Sequence, residues 1–423
     1  MIDARPGRRT KVALAAVALA ALGVLPGCGA GAGGPPGDRI AGHTLTIYVS
    51  VPMEGASRVS GQAIINGAQL ALARARSRVG SYRIAFKRLD DATPQRAQWD
   101  PGVTTQNART AVNDRTTIGY IGELDSGASA ISIPLLNRAG IAQISPSSTS
   151  VGLTSSAPGA SPGEPQKYYP TGTRTYARVV PNDAVQAVVQ VSLQRSMGCV
   201  ATYVLEDGGV DGDDTASSFD AFAQTGGLRV IATQVFQRGA ADYSSLAASV
   251  ARSGADCVLV SAIPESGAAL LTKQVAAALP NARIFGSAGL AESTYADPAQ
   301  GGIPTSIDPR VLITVATLAP SAYPAAGRQF MLTYSQLYGM PQPAAIDGYE
   351  AMSLLLAAIG RATHGGTKTA RRSNVVAAVF ATRNRRSVLG TYSIDHDGDT
   401  TLTRYGVYRV VAGRLSFWKA VEG

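Results

Sequence analysis

Residues with the types and spacing needed for catalysis or metal binding are scarce in this chain. The three histidines, His43, His364 and His396, have no Cys, His or carboxylate at metal-ligand spacing within a helix or strand. The sequence contains neither a G-x-S-x-G nucleophile elbow nor a G-x-x-x-x-G-K-S/T phosphate-binding loop. We therefore predict no metal site and no cofactor, and a protein that is not an enzyme.

Two acidic segments also have ordinary structural explanations. Residues 395–399 (Asp-His-Asp-Gly-Asp) are similar to a calcium loop but lack the later glycine and the closing Glu of an EF-hand, so a β-turn explains them better. Residues 207–214 contain four aspartates and precede a predicted helix, whose dipole favours acidic residues at its start. Neither segment predicts a metal site.

The remaining candidates are six short loops, each of which follows an apolar run. They are rich in hydroxyl groups and contain a few carboxylates. The loops follow Val51, Ile121, Ile144, Leu205, Ala262 and Phe285, and read Pro-Met-Glu-Gly, Gly-Glu-Leu-Asp-Ser, Ser-Pro-Ser-Ser-Thr, Glu-Asp-Gly-Gly, Ile-Pro-Glu-Ser and Gly-Ser-Ala-Gly. Ligands of open α/β sheets bind outside the carboxyl ends of the strands, so these loops predict a cleft for a small polar molecule.

The elements that position these loops form an alternating pattern of strands and helices. β-Branched apolar runs alternate with segments of helical period from His43, and the pattern restarts after Pro181. We predict strands at 45–51, 82–89, 118–122, 141–144, 199–205, 229–236, 257–262, 283–285 and 311–318. The two series indicate an α/β fold with two doubly wound parallel-sheet lobes. Residues 392–418 alternate as antiparallel strands do.

The first 43 residues read as a targeting segment followed by a tether. A basic stretch to Lys11, an apolar stretch of 14 residues (12–25) and small residues around Cys28 form the three parts of an export signal. The apolar stretch is too short for a helix that spans a bilayer. Leu25-Pro-Gly-Cys28 looks like a bacterial lipobox, which predicts a signal peptide at 1–27 and a diacylglycerol, with palmitate-type acyl chains, on Cys28; an ordinary cleaved signal is the alternative. Residues 28–43 are predicted to be a flexible tether.

The other two cysteines each precede or begin an apolar run. Cys199 and Cys257 would lie at the same end of two strands in an extracytoplasmic compartment where disulfides persist. If those strands are neighbours, a disulfide is expected; otherwise the two thiols are buried and free.

Composition and charge exclude further classes. The 423 residues are 16% charged with a net charge of +9, and loss of residues 1–27 removes four positive charges and one negative charge, which leaves about +6. The length suits two to three compact units. Such sparse positive charge argues against nucleic-acid binding. One cluster is predicted to be a solvated helix face: Arg371, Arg372, Arg383, Arg385 and Arg386.

From Leu45 to Trp418 the chain resembles the leucine/isoleucine/valine-type substrate-binding proteins of ABC importers. The shared markers, in order, are Met53-Glu-Gly55 with Gly61, Asp90-Asp91, Gly122 before Asp125-Ser126, Ile144-Ser-Pro-Ser-Ser-Thr149, and Gly390-x-x-x-x-Asp395-x-Asp397-Gly-Asp399. The resemblance implies the type I periplasmic binding protein fold, whose lobes are joined by a three-stranded hinge. We predict lobe I at 44–181 plus 321–389 and lobe II at 182–320 plus 390–423. Crossings are expected near 178–183, 319–323 and 389–392.

The resemblance also assigns site residues. It places Ser126, Thr149 and the backbone of Ser147, with Ser148 in the same loop, on the carboxylate of a ligand. The family's ammonium-binding Glu corresponds to Ala288, and its aromatic wall corresponds to Ser60, Asp211 and Ile263. These changes argue against the usual branched-chain ligand, because a buried ammonium group requires a carboxylate partner. Candidates for a relocated acidic partner are Asp125, Asp211 and Glu265, although each can equally be a solvated loop residue.

We therefore expect a monomeric lipoprotein on the extracytoplasmic face of the cell membrane. It would bind a small polar solute such as an amino acid, amide or carboxylate, and pass it to the transmembrane subunits of an ABC permease. The alternative is a sensor or scaffold lipoprotein of the same fold that contacts a membrane partner without transport.

Overall fold

The computed structural model describes residues 37–96 and 98–423, and only the backbone of Asp211. The predicted signal peptide and Cys28 lie outside the described residues. The predicted tether is shorter than expected at its carboxyl end, because Asp38 and Ile40 are buried. The amide of Ile40 donates to the Ala370 carbonyl at 3.0 Å, which ties this segment to the body of the protein.

Seventeen strands are present in the described part of the chain. They are β1 (Thr44–Val51), β2 (Arg78–Val79), β3 (Tyr82–Asp90), β4 (Ala92–Thr93), β5 (Gln98–Trp99), β6 (Thr117–Ile121), β7 (Ala142–Ser145), β8 (Tyr176–Arg178), β9 (Ala201–Glu206), β10 (Arg229–Val235), β11 (Cys257–Ser261), β12 (Arg283–Gly286), β13 (Val311–Val315), β14 (Arg385–Arg386), β15 (Thr391–Tyr392), β16 (Arg404–Val411) and β17 (Arg414–Glu422).

Eleven α-helices connect these strands within the same residues. They are α1 (Arg58–Arg74), α2 (Pro101–Asn113), α3 (Ser126–Arg138), α4 (Asp183–Ser196), α5 (Val210–Gly226), α6 (Ser244–Arg252), α7 (Ala268–Ala278), α8 (Ser293–Ala296), α9 (Ala325–Tyr338), α10 (Ala345–Ala362) and α11 (Arg372–Phe380). None of these helices has the length and apolar character needed to cross a membrane.

The first sheet has six strands in the order β2-β3-β1-β6-β7-β8, all parallel except β2. Its central strand β1 is covered on both faces, because successive residues point to opposite sides. Val49 packs in a cluster with residues of α1 and α10, whereas Tyr48 packs with residues of α2 and α3. This two-sided cover confirms the predicted doubly wound arrangement.

The second sheet has seven strands in the order β10-β9-β11-β12-β13-β16-β17. Strands β9 to β13 run parallel, and β16 and β17 are antiparallel, with a turn at 412–413 between them. Because β9 and β11 are neighbours, Cys199 and Cys257 meet and form a disulfide with a Cα–Cα distance of 5.8 Å. The predicted bridge is confirmed, and free thiols are excluded.

Helices α1 and α10 approach each other closely enough to require glycine. A Cβ on Gly67 would lie 2.0 Å from the Ala345 carbonyl oxygen, and one on Gly348 would lie 2.4 Å from the Ile64 carbonyl oxygen. Both distances are shorter than any real Cβ contact, so only glycine allows this packing. The beginning of α10 is thereby held against the first sheet.

The prediction of a solvated helix face is wrong, because only Arg372 of the five arginines lies in a helix and two of the five are not solvated. Arg372 is buried and donates to the carbonyl oxygens of Thr117 at 2.9 Å and Asp114 at 3.2 Å. Arg385 forms an ion pair with buried Glu350 at 2.6 Å. Long arginine side chains satisfy buried acceptors as readily as they extend into solvent, so a charge cluster alone does not distinguish the two.

The acidic segment at 395–399 forms a turn, as predicted. The Asp395 carboxylate accepts hydrogen bonds from the amides of Asp397, Gly398 and Asp399, each at 2.9 Å. Asp399 in turn pairs with the wholly buried Arg178 at 2.6 Å. The turn thus fixes a buried ion pair. Among the described residues, no group of three or more His, Cys, Asp or Glu side chains is placed to hold a metal ion.

Candidate ligand-binding site

A cavity of about 80 Å³ lies where the carboxyl ends of strands from both sheets face each other. Loops after β6 and β7 of the first sheet form one side, and loops after β11, β12 and β13 of the second sheet form the other. The polar residues that line it are Ser57, Ser60, Asp125, Ser147, Thr149, Gln186, Thr215, Ser287, Glu292, Thr317 and Asp347. Among the residues that the structure describes, no Lys, Arg, His or aromatic residue is part of this lining.

The loop after β7 presents two hydroxyl groups to the cavity. Ser147 and Thr149 are half-buried, and neither hydroxyl has a hydrogen-bond partner in the described protein. The Ser126 hydroxyl, at the start of α3, accepts from the amides of Thr149 and Ser150, both at 3.2 Å. Ser126 is wholly buried behind the loop, so it fixes the position of Thr149.

Ser148 points away from the cavity. Its hydroxyl is 2.8 Å from that of Ser129 and donates to the Glu123 carbonyl at 3.2 Å. Its amide donates to the Ser145 hydroxyl at 2.8 Å, as does the Ser147 amide at 3.1 Å. The loop is therefore held by its own serines, and its two outward hydroxyls are left for a ligand.

A pair of buried carboxyl groups lies behind this loop. Glu123 is completely buried, and burial raises its pKa to about 7, although the Tyr120 hydroxyl donates to it at 2.8 Å. Burial also raises the pKa of the neighbouring Asp91 well above its usual range, and the charges of Glu123 and Asp125 act in the same direction. No ion pair in the described chain includes either group. The two carboxyls thus favour a protonated state.

The opposite side of the cavity carries a carboxyl group that our sequence interpretation missed. Strand β12 leads into a 3-10 turn at Ala288–Leu290, and Glu292 caps the short α8 that follows. Glu292 lines the cavity and is only 8% exposed. Burial raises its pKa to about 8; a hydrogen bond with Ser60 opposes this shift, and the charge of Glu265 adds to it.

A second buried acid reaches the cavity from α10. Asp347 lies in the first turn of that helix, where a carboxylate is favoured by the dipole, and it lines the cavity. Burial raises its pKa well above the usual range, and a hydrogen bond with Thr317 acts in the opposite direction. The cavity therefore contains buried acids from both sides, Glu292 after β12 of the second sheet and Asp347 on the helix packed against the first.

Besides the hydrogen bond between Glu292 and Ser60, two further side-chain contacts cross between the sides of the cavity. The Ser57 hydroxyl, which precedes α1, donates to Glu265 after β11 at 3.0 Å. The Ser150 hydroxyl donates to Asp214 of α5. Each contact joins a loop of the first sheet to an element of the second, so both would break if the two sides moved apart.

The structure brings together four of the eight predicted ligand residues, since Asp125, Ser147, Thr149 and Ala288 line the cavity. Ser126 and Ser148 lie behind the loop, and Glu265 takes part in the contact with Ser57 rather than in the lining. The backbone of Asp211 is in the first turn of α5, and its side chain lies outside the described part of the chain. The assignment of these residues to a ligand stays a prediction.

Glu292 was missed for a physical reason. The predicted loop after Phe285 ended at Gly289, and the residue aligned with the family's acid is Ala288. The 3-10 turn that follows β12 brings the chain back toward the cavity, so a carboxyl four positions later faces the same space. The sequence offered one indication of this acid, namely a Glu at position 292, four residues after the Ala at 288.

This two-sheet architecture, with a polar cavity between the carboxyl ends of both sheets, is that of a solute-binding protein. A model of the periplasmic binding protein family matches residues 44–414. The chain belongs to this family.

Similar proteins agree in length and fold. The Leu/Ile/Val-binding protein BraC3 of Rhizobium johnstonii is 23% identical over 383 residues, which cover 88% of this chain and 93% of BraC3. The leucine-binding protein LivK of Thermotoga maritima superposes with a TM-score of 0.74 at 20% identity, covering 89% of this chain and 99% of LivK. A solute-binding protein of an ABC transporter from Rhodopseudomonas palustris BisB5, in complex with 3,4-dihydroxybenzoic acid, gives a TM-score of 0.70 at 18% identity, with 90% and 98% coverage.

Proposed function

We propose that this chain is the lipid-anchored solute-binding protein of an ABC importer, and that it binds a small solute carrying both a carboxylate and an ammonium group. The observation that carries the proposal is the polarity of the cavity. The hydroxyls of Ser147 and Thr149 face it from the first sheet, and Glu292 lines it from the second. Neutral donors suit a carboxylate, and a buried carboxylate requires a cation.

Glu292 fills the role that the change to Ala288 left vacant. A ligand ammonium group beside Glu292 would give this buried acid the positive partner that the described protein lacks. Asp125 and Asp347 add acidic character to the same cavity. A ligand with carboxylates alone would instead meet like charges or protonated acids, which makes an amino acid the better fit.

The walls of the cavity favour a polar side chain on that amino acid. Ser60 and Ile263 stand at positions where the family has aromatic residues, and the described lining contains Ser57, Ser287 and Thr317 nearby. A hydroxyl or amide group on the ligand can form hydrogen bonds with these hydroxyl groups, whereas a branched hydrocarbon side chain cannot. The relatives named for leucine and the relative bound to a dihydroxybenzoate indicate that the fold accepts different carboxylates.

The proposed mechanism is closure of the two sides over the ligand. A ligand that contacts both Thr149 and Glu292 binds only the closed form, so it shifts the equilibrium toward that form. The bonds Ser57–Glu265 and Ser150–Asp214 would close the entrance at the same time. The permease would then recognise the closed shape, and Cys28 would keep the protein at the membrane as a lipoprotein.

Calorimetry with a panel of amino acids, amides, polyamines and carboxylates tests the ligand class. Thr149→Val removes one cavity hydroxyl without changing size, and we expect at least tenfold weaker binding, since a hydrogen bond to a charged group contributes about 1.5–3 kcal/mol. Thr333→Val removes a half-buried hydroxyl of α9, outside the cavity lining, and is the matched control. Equal affinities in the two variants would place the site elsewhere.

Import is tested separately. Cells that lack this chain should lose uptake of the radiolabelled ligand found by calorimetry, and expression of the wild-type protein should restore it. Normal uptake in the absence of the chain would contradict transport and favour the sensor or scaffold alternative.

A further inference from the structure

A groove rich in arginine lies at the opposite edge of the first sheet from the cavity. It has a volume of about 680 Å³ and is lined by Gly37, Arg39, Ala41, Arg109, Val112, Arg115, Leu135, Arg138, Ala139 and Arg372. We call this surface the arginine groove. Apart from Arg372 at the start of α11, its members precede β1, β6 and β7, whereas the cavity follows β6 and β7. The two surfaces therefore face away from each other.

The positive charge of the arginine groove is not neutralised by the protein. Arg39, Arg109, Arg115 and Arg138 are exposed, and none of them forms an ion pair within the described residues. The two acidic residues nearby are already paired, Asp38 with Arg371 at 3.1 Å and Asp114 with Lys87 at 2.9 Å.

The floor of the groove carries a further cation. Arg372 is 4% exposed and bonds to three carbonyl oxygens, those of Thr117, Asp114 and Ala139, but to no carboxylate in the described chain. Buried charges in proteins are normally paired with an opposite charge. Helices α2 and α3 end at the groove, where each contributes about half a negative charge, which does not balance five arginines.

The position of the groove along the chain indicates what it faces. Gly37 lines the groove, and it is nine positions after Cys28. Nine residues span at most about 30 Å when fully extended. Residues 29–36 contain only Gly, Ala and Pro, so no charged side chain lies between the proposed anchor and the groove. A lipid on Cys28 would keep the arginine groove close to the bilayer surface.

We propose that the arginine groove is a docking surface for the anionic phospholipid head groups of the membrane to which Cys28 anchors the chain. Guanidinium groups bind phosphate through paired hydrogen bonds. The half-exposed Val112 and Leu135 give the arginine stems apolar surface to lie against. This inference rests on the lipid anchor of the proposed function. Docking would direct the cavity away from the bilayer while solute is captured, and release from the head groups would precede delivery to the permease.

The test uses the full chain, produced and processed in cells and reconstituted into vesicles. One set contains phosphatidylcholine alone, and the other contains phosphatidylcholine with phosphatidylglycerol. Hydrogen–deuterium exchange is followed in peptides that cover 109–116 and 135–141. We expect slower exchange in these peptides on the anionic vesicles only, and loss of the difference in high salt, where charges are screened within about 3 Å.

The variant Arg39→Gln/Arg115→Gln should lower the ratio of docked to undocked protein about 25-fold, since each arginine near an anionic surface raises that ratio about fivefold. The matched control is Arg229→Gln/Arg252→Gln, which removes the same charge from exposed positions at the start of β10 and the end of α6. Equal exchange on both kinds of vesicle, or equal loss in the control, would overturn the proposal. Protection in native membranes but not on phosphatidylglycerol would also overturn it, in favour of a protein or glycan partner.

Failure of the anchor is distinguishable from failure of the groove. Protein that does not float with neutral vesicles carries no lipid, which refutes the anchor alone. In that case the same protein is tested for flotation with anionic vesicles. Binding that is lost in the Arg39→Gln/Arg115→Gln variant supports the arginine groove as a docking surface. Absence of binding overturns the proposal.

Discussion

The pH dependence of ligand affinity tests Glu292 as the partner of a ligand ammonium group. Burial in the closed form raises the pKa of Glu292 to about 8, so at pH 7 only about a tenth of the closed, ligand-free protein carries the ionised carboxylate. An ammonium group binds the ionised form, so binding should release a proton. The ionised fraction rises from about one in a hundred at pH 6 to about one half at pH 8, and the affinity should rise about 50-fold with it.

Titration calorimetry measures both quantities. The amino acid identified by screening is titrated at pH 6, 7 and 8 in two buffers with different ionisation enthalpies, and the difference between the heats gives the number of protons released. Glu292→Gln keeps the size of the side chain but removes its titration. We expect this variant to bind weakly, with no dependence on pH and no proton release.

Two results would refute this reasoning. An affinity that falls as the pH rises would show that protonated Glu292 donates to a carboxylate of the ligand. The same pH dependence in Glu292→Gln as in the wild type would assign the titration to another group. Glu123→Gln is the control, because it removes a carboxyl with a pKa of about 7 that lies behind the cavity loop. The dependence should persist in that variant.

Three further predictions concern stability. Replacing both Cys199 and Cys257 by Ala opens a loop of 58 residues and should lower the free energy of unfolding by about 4 kcal/mol in urea titrations; a loss below about 1 kcal/mol would contradict this. Arg178→Met leaves Asp399 buried without its cation, at an expected cost of about 3–5 kcal/mol, and an unchanged melting temperature would show that the pair contributes nothing. The raised pKa of Glu123, about 7, stabilises the fold below pH 4.5, and this contribution is lost as the pH rises through 7; Glu123→Gln should flatten the urea profile between pH 5 and 8.

The regular part of the fold was predictable because it rests on periodicity. Each predicted parallel strand is present within a few residues, since buried β-branched runs have few other stable arrangements. The disulfide was predicted only on the condition that β9 and β11 are neighbouring strands, and the sequence alone did not establish that they are. The division into lobes with boundaries near 181 and 320 stays a prediction.

The candidate site was predictable only in part. The loop with Ser147 and Thr149 follows a strand directly, so its position is fixed by the strand. Glu292 follows a 3-10 turn, and Asp347 comes from the start of α10, far along the chain. The positions of these two acids depend on irregular backbone and on long-range packing, and neither can be predicted from the periodicity of the sequence.

The close contact of α1 with α10 also sets an order of events during synthesis. Helix α1, which contains Gly67, is synthesised early. It cannot pack against α10 until Gly348, near the other end of the chain, has also been synthesised. Domains generally fold as units while the chain is made. Here the first sheet keeps one face uncovered until almost the whole chain has emerged. The first sheet therefore completes its core only when synthesis is nearly finished.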